Sequence, residues 1–461
     1  MSNFLFPIET TARELDHKIL MAILSAKKNR KVYIGDQQII RTISYFIKGG
    51  VYYGKHLFGK PSFSDTKYYH RIKNNNFKLV HLNEEGAVWA GESKDWQSTL
   101  KQCERPSVLN VDDYMAVWGE WQKNFNMSYE SPDVSICVTG HPKFDLYRTK
   151  YRSYFKSESD ALIKKYGDFI LINTAFSLSN NGKGGEKFIF EPKISYNSEN
   201  IQHRNYLFGD WENQMHSMAS IVSLINKLSL EFPDKKIIIR PHPSEDTTYY
   251  EKIFQNINNI KVLYKGSVTP WILACSILIH NGCTTSIEAS LAQKPVINFT
   301  SKEKSRYEVY LAGVCGYKTS KVNCVIEKIN EFYSNGIWDF PYVPEDELSN
   351  NLFHNFSEKN AAYKVLKLLE EADENIKADQ VFRLNWFMLG LTGTLHRAYL
   401  LLKFSYMMFK GKRSNVTDYL KRFEKFDKKD IEKKVQKMSD ILGIKVKVTH
   451  QNSYLFIIEK I

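Results

Sequence analysis

What the 461-residue chain lacks narrows it first. No stretch of about 20 apolar residues runs free of charge, which argues against a transmembrane helix. The six cysteines, Cys103, Cys137, Cys275, Cys283, Cys315 and Cys324, include no CxxC pair. They read as reduced thiols rather than a zinc site or a disulfide framework. Twelve histidines are scattered with no HxH or HxxxH pair, so no metal is expected. The glycine-rich Asn181-Gly182-Lys183-Gly184-Gly185 lacks the Lys-Ser/Thr ending of a Walker loop. Internal repeats and low-complexity segments are absent. The opening residues, Met1 to Glu9, turn acidic too soon for a signal peptide, and a cytoplasmic protein is the expectation.

What is present is a globular composition, 43% hydrophobic and 14% aromatic. The length suggests two large units and an extension. Strand-like and helix-like segments alternate: Phe4 to Ile8, Thr11 to Lys28, Lys31 to Ile34, Asp36 to Ile47, then strands at Val51 to Tyr53, Lys78 to Leu82 and Ser135 to Val138. A second block runs through Asp168 to Asn173, Lys235 to Arg240, Lys261 to Leu263, Ile277 to His280 and Pro295 to Phe299. Such alternation implies right-handed crossovers and parallel sheets. The fold class is therefore α/β, with two doubly wound units facing a cleft. Boundaries fall at 1–160, 161–375 and 376–461, and the glycine-rich segment would be a flexible loop at the cleft mouth. A helix from Glu358 to Asp373 closes the second block. Lys445 to Val448 and Tyr454 to Ile458 read as a terminal hairpin.

Two segments put ionisable groups at the carboxyl ends of apolar strands, where open α/β sheets place ligands. They are Glu84-Glu85-Gly86, after Lys78 to Leu82, and Arg240-Pro241-His242-Pro243, after Lys236 to Ile239. The pair resembles the acidic-acidic-Gly and His-Pro motifs of bacterial sialyltransferases and relatives that use CMP-activated sugars. His280-Asn281-Gly282-Cys283-Thr284-Thr285-Ser286-Ile287-Glu288-Ala289 resembles the donor-phosphate loop of GT-B glycosyltransferases. With Thr139-Gly140-His141-Pro142 and Gly266 to Trp271, the pattern is similar to bacterial surface-carbohydrate biosynthesis proteins over roughly the first four-fifths of the chain.

The resemblance implies a GT-B glycosyltransferase of capsule, lipopolysaccharide or O-antigen assembly. Its donor would be a CMP-activated sugar of the nonulosonate or Kdo type, and its acceptor a glycan or lipid-linked glycan. No cofactor is implied, since the donor motif lacks the Asp-x-Asp with which many GT-A enzymes hold a metal. Transfer to a hydroxyl needs a base, and Glu84 or Glu85 is offered for it, with Gly86 turning the backbone. Arg240 presents a fork suited to phosphate, and His242, braced by Pro243, can donate to the leaving group. Asn281, Thr284, Thr285 and Ser286 supply donors at a strand-to-helix junction, with Asn173 nearby. The resemblance implies a ribose contact for Glu288. Its Thr285-to-Glu288 spacing equally fits a helix capping box. Two other functions stay open, a CDP-glycerol or CDP-ribitol phosphotransferase and a non-catalytic polysaccharide-binding or export protein.

The net charge of +13 is concentrated late, with 17 Lys and Arg against 7 Asp and Glu in residues 381–461. Basic residues alternate there with Trp386, Phe387, Tyr399, Leu400 to Leu402, Tyr406 and Phe409. Three readings fit: a helix packed on the rest of the protein, a helix on an anionic membrane surface, or a nucleic-acid contact. The last ranks lowest because no binding motif accompanies the charge.

Overall fold

Asn3–Ile8 (β1) is buried along its whole length, as the middle strand of a parallel sheet covered on both faces must be. In the computed structural model, which describes residues 2–461 apart from 56–62, 88, 191–196, 303–304, 358–359, 375, 377–385 and 410–421, the chain folds into two units. The first comprises Met1–Ala87, Gln97–Tyr154 and Asn350–Ile461, and the second Val88–Trp96 and Phe155–Ser349.

In the first unit β1 lies between Lys31–Asp36 (β2) and Gly50–Gly54 (β3), followed by Phe77–Leu82 (β4), Tyr114–Val117 (β5) and Ser135–Val138 (β6), all parallel. Strand order reverses between β1 and β3. The hairpin of Val446–Asn452 (β13) and Leu455–Lys460 (β14) completes this sheet, with β14 antiparallel on β2, Ile457 opposite Tyr33. The late hairpin thus covers an edge that would otherwise be open.

The second unit holds six parallel strands: Phe169–Asn173 (β7), Lys236–Arg240 (β8), Ile260–Val262 (β9), Ile277–His280 (β10), Val296–Phe299 (β11) and Tyr317–Thr319 (β12). Their order, β12-β11-β10-β7-β8-β9, is the Rossmann order, reversing between β7 and β10. Ile170, Ile172, Ile237, Ile239, Ile277 and Ile279 are fully buried. The helix Ile201–Glu231 packs Ile221, Leu224, Ile225 and Leu228 into the same core. Two doubly wound units of this kind are the composition of the GT-B fold.

The structure adds β5, β12 and the 31-residue helix to the elements expected from sequence. It also corrects the loop at Asn181-Gly182. The Gly182 N–H donates to Ser244 O, the Asp246 N–H donates to Asn180 O, and Asn181 bridges Glu245. These backbone bonds pin the start of the loop against the turn after β8.

Candidate functional site

In the second unit a cavity of about 260 Å³ opens at the carboxyl edge of the sheet. Ala175 follows β7, Asn281 and Gly282 follow β10, and Thr300, Ser301 and Lys302 follow β11. Asp210, Asn213, Gln214 and Ser217 reach it from the helix Ile201–Glu231. It therefore sits at the strand-order reversal, the place where open α/β sheets bind ligands. The lining is mostly hydroxyl and amide, and its charged members are Lys302, Asp210 and Glu308. Burial pushes the Asp210 carboxyl up to about 6, against a 3.4 Å hydrogen bond from Gln214. The buried Thr300 hydroxyl has no hydrogen-bond partner.

Asn173 and Thr285 meet at this reversal. The Asn173 amide donates to Thr285 Oγ1 at 2.9 Å, and its buried Oδ1 is unsatisfied. Asn281 donates to Phe299 O at 2.8 Å, fixing the loop against β11. Thr284 is the partly exposed N-cap of the helix Thr285–Leu291, without a side-chain capping bond. Two residues of this loop face inward. Ser286 is fully buried and donates to Ala312 O, and Glu288 is 3% exposed. Neither is among the residues that line the cavity.

After β8, Arg240 departs from the sequence reading. Its guanidinium is buried, lies 5.0 Å from the centre of the Trp271 ring, and donates to the carbonyls of Tyr264, Lys265 and Gly266. Burial lowers it to about 10. The fork that was to hold phosphate instead organises the loop after β9. His242 is exposed. Its Nδ1 accepts from the Ser244 N–H at 3.3 Å, with Ser244 Oγ at 2.7 Å, so the ring carries its proton on Nε2 as a donor. Pro243 is exposed beside it. Beneath the turn lies Glu245, which the sequence analysis did not assign to the site. Buried, it accepts from the Thr174 hydroxyl, the Phe176 and His242 N–H groups and the Tyr250 hydroxyl. A Glu three residues after the histidine was the available signal.

In the first unit the acidic pair divides. Glu85 is exposed and paired with Arg13. Glu84 is 6% exposed, with Oε2 3.3 Å from His17 Nε2 and 3.1 Å from His141 Nε2, and Oε1 3.9 Å from Lys18 Nζ. Burial pushes the Glu84 carboxyl upward, but the two imidazoles outweigh it and hold the group well below the carboxylate range. Burial likewise drives His17 down to about 4 and lowers His141. Glu84 is therefore a carboxylate set between two imidazoles. Lys18, lowered to about 8 by burial against the pull of Glu84, lies 3.7 Å from the centre of the Tyr53 ring. A cavity of about 10 Å³, room for one water, adjoins Glu84 and is lined also by Glu9, Glu14, Lys18 and Lys55.

His17, Glu84 and His141 are types that ligate metals, and their ligand atoms lie within 4.8 Å of one another. However, His141 Nδ1 accepts the Lys143 N–H at 3.1 Å, which places the ring proton on Nε2, facing Glu84. A cation there would require that proton to leave. His17 escaped the sequence search, and His141, seen only as part of the Thr139 to Pro142 motif, was not joined to Glu84, because the two lie 67 residues before and 57 after it. The ionisable residues Glu14, Asp16, His17 and Lys18, leading into the apolar run Ile19 to Leu24 and buried with it, were the visible hint.

Glycine is required at two places for different reasons. Gly140 has φ +70°, and a Cβ there would lie 2.3 Å from Asn355 Oδ1. Gly86 has no such φ. A Cβ would instead meet the Trp118 indole at 2.4 Å, so close packing rather than turning explains it.

No protein-family model matches the chain, and no curated protein does. Solved structures similar to it include the UDP-GlcNAc 2-epimerase of Neisseria meningitidis bound to UDP-GlcNAc, 14% identical, with 80% of this chain and 100% of that one covered at TM-score 0.46. The Methanocaldococcus jannaschii UDP-GlcNAc 2-epimerase, in complex with UDP-GlcNAc and UDP, is 12% identical over 80% and 99% at 0.48. The wall teichoic acid polymerase TagF is 11% identical over 81% and 89%, also at 0.48. These are likenesses of architecture and carry no argument about chemistry.

Proposed function

We propose that this protein is a glycosyltransferase of bacterial surface-glycan assembly that takes its sugar from a nucleotide donor bound by the second unit. The observation that carries the reading is the 260 Å³ cavity at the β7/β10 reversal, lined by hydroxyls and amides. Such groups suit a sugar and its phosphate linkage.

The finer reading is a CMP-activated acidic keto-sugar. It is supported by the strand-end positions of Glu84-Glu85-Gly86 and His242, and by the low positive charge of the cavity. A lining with one lysine, Lys302, against the carboxyls of Asp210 and Glu308 suits one phosphate better than a diphosphate. In this reading Nε2–H of His242 donates to the departing phosphate oxygen. Glu85, the exposed carboxylate of the pair, takes the acceptor proton, and Glu84 positions the segment.

Thermal unfolding with CMP, CDP and UDP tests the donor. Ligand at 100 times its dissociation constant stabilises by about 2.7 kcal/mol. Stabilisation by CMP above the others is expected, followed by transfer from CMP-sugars to glycan acceptors in a mass-spectrometric screen. A preference for CDP would move the reading to a phosphopolyol transferase, and indifference to all three would remove the nucleotide.

A further inference from the structure

The helix Trp386–Phe409 is built in two halves. The first is held by the first unit. Leu389, Thr392 and His396 are buried, Asn452 donates to Leu389 O, and a Cβ on Gly393 would meet the Asn452 side chain at 2.6 Å. His396 packs edge-on against Tyr454, with the ring centres 5.1 Å apart. Beyond His396 large apolar side chains are exposed. Leu395, Tyr399, Leu402, Tyr406 and Phe409 are exposed by 60, 53, 73, 55 and 91%, and Leu391 by 37%.

From Leu391 onward these six recur at spacings of four, four, three, four and three. Successive helical residues turn by about 100°, so all six fall within one narrow stripe that runs for roughly 27 Å. The stripe is separate from the buried side of the helix. A continuous row of exposed large apolar side chains on a soluble body marks an interaction surface.

The charge around it selects the partner. Arg397 and Lys403 are exposed on the same helix, no acidic residue occurs between Trp386 and Phe409, and residues 381–461 carry 17 basic against 7 acidic residues. An apolar stripe flanked by basic charge matches an anionic lipid interface, where hydrocarbon and headgroup phosphate lie side by side. Among the described residues no helix is long and apolar enough to cross a membrane. We propose that the stripe Leu391 to Phe409 lies in the plane of an anionic membrane surface and holds the protein there. This does not rest on the choice of donor.

The test uses the full chain and vesicles of phosphatidylcholine with or without an equal part of phosphatidylglycerol, at low and high salt. Cosedimentation with the anionic vesicles at low salt is expected, together with at least tenfold weaker binding to neutral vesicles or at high salt. The triple variant Leu402→Ser/Tyr406→Ser/Phe409→Ser changes only exposed side chains. It should keep the wild-type melting curve and lose at least tenfold in vesicle affinity. Failure of the wild type to bind anionic vesicles overturns the proposal. So does equal binding by the variant, which would leave charge alone responsible. A wild-type dimer in sedimentation that the variant converts to monomer, without lipid binding, would reassign the stripe to a second copy of the chain.

Discussion

At the scale of single residues, the two carboxylates of Glu84-Glu85 behave as different groups because one is buried among imidazoles and the other is not. Replacing Glu84 by Gln removes the charge that Lys18, His17 and His141 surround, and should cost about 3 kcal/mol of stability, read by urea denaturation. Glu85→Gln should leave stability almost unchanged and reduce transfer by about 10² to 10⁴. Equal stability loss in the two variants would contradict this division. Gly140→Ala combines a left-handed backbone with a 2.3 Å approach to Asn355 and should destabilise by about 1–3 kcal/mol, with Asn355→Ala recovering part of the loss. Sequence alone placed Glu84, Glu85 and His242 after the ends of strands, because strand ends are legible from apolar runs. It misjudged Arg240 because a guanidinium beside a proline turn looks the same whether it meets phosphate or three carbonyls. It could not join His17 to His141, since nothing in the intervening sequence says that the first helix passes under the turn after β6.

At the scale of elements, the doubly wound α/β architecture followed from regular alternation. The strands that were missed are short or partly exposed. Tyr114–Val117 has four residues, and Tyr317–Thr319 has three on the edge of its sheet. The terminal hairpin was visible from its two apolar runs, but its destination was not, because antiparallel pairing of β14 with β2 is set by burial across most of the chain's length. Leu455 and Phe456 are fully buried in that pairing. Leu455→Ala should cost about 2–5 kcal/mol. A chain ending at residue 444 should expose the β2 edge and aggregate, measurable by light scattering. A monomeric, stable truncated chain would show that β2 tolerates an open edge.

At the scale of the whole molecule, buried ionisable groups tilt stability in opposite directions with pH. His280 is buried, and burial lowers it to about 4. Between pH 4 and 6.5 the unfolded chain binds the proton that the folded chain refuses, so this group makes stability rise with pH by at most about 1.4 kcal/mol per unit. Burial raises Asp145 to about 7, with partial offset from the Ala362 and Ala361 N–H groups. Here the folded state holds the extra proton between about 4 and 7, and stability falls as pH rises across that window. Denaturation of His280→Gln and Asp145→Asn at pH 4.5, 5.5, 6.5 and 7.5 should therefore give differences from wild type that slope with opposite signs. Parallel slopes would refute the assignment.

The division of the first unit into three stretches of chain also sets a timetable for synthesis. The second unit is nearly continuous and can fold as it leaves the ribosome. The first cannot finish, since Thr11 waits for Glu424, 413 residues later, and β2 waits longer still for β14. At about 5–20 residues per second, that delay is roughly 20–80 s. During it the β2 edge stands open on the nascent chain. Ribosome-bound chains halted before residue 424 should therefore show a protease-resistant second unit beside a first unit still held by chaperones.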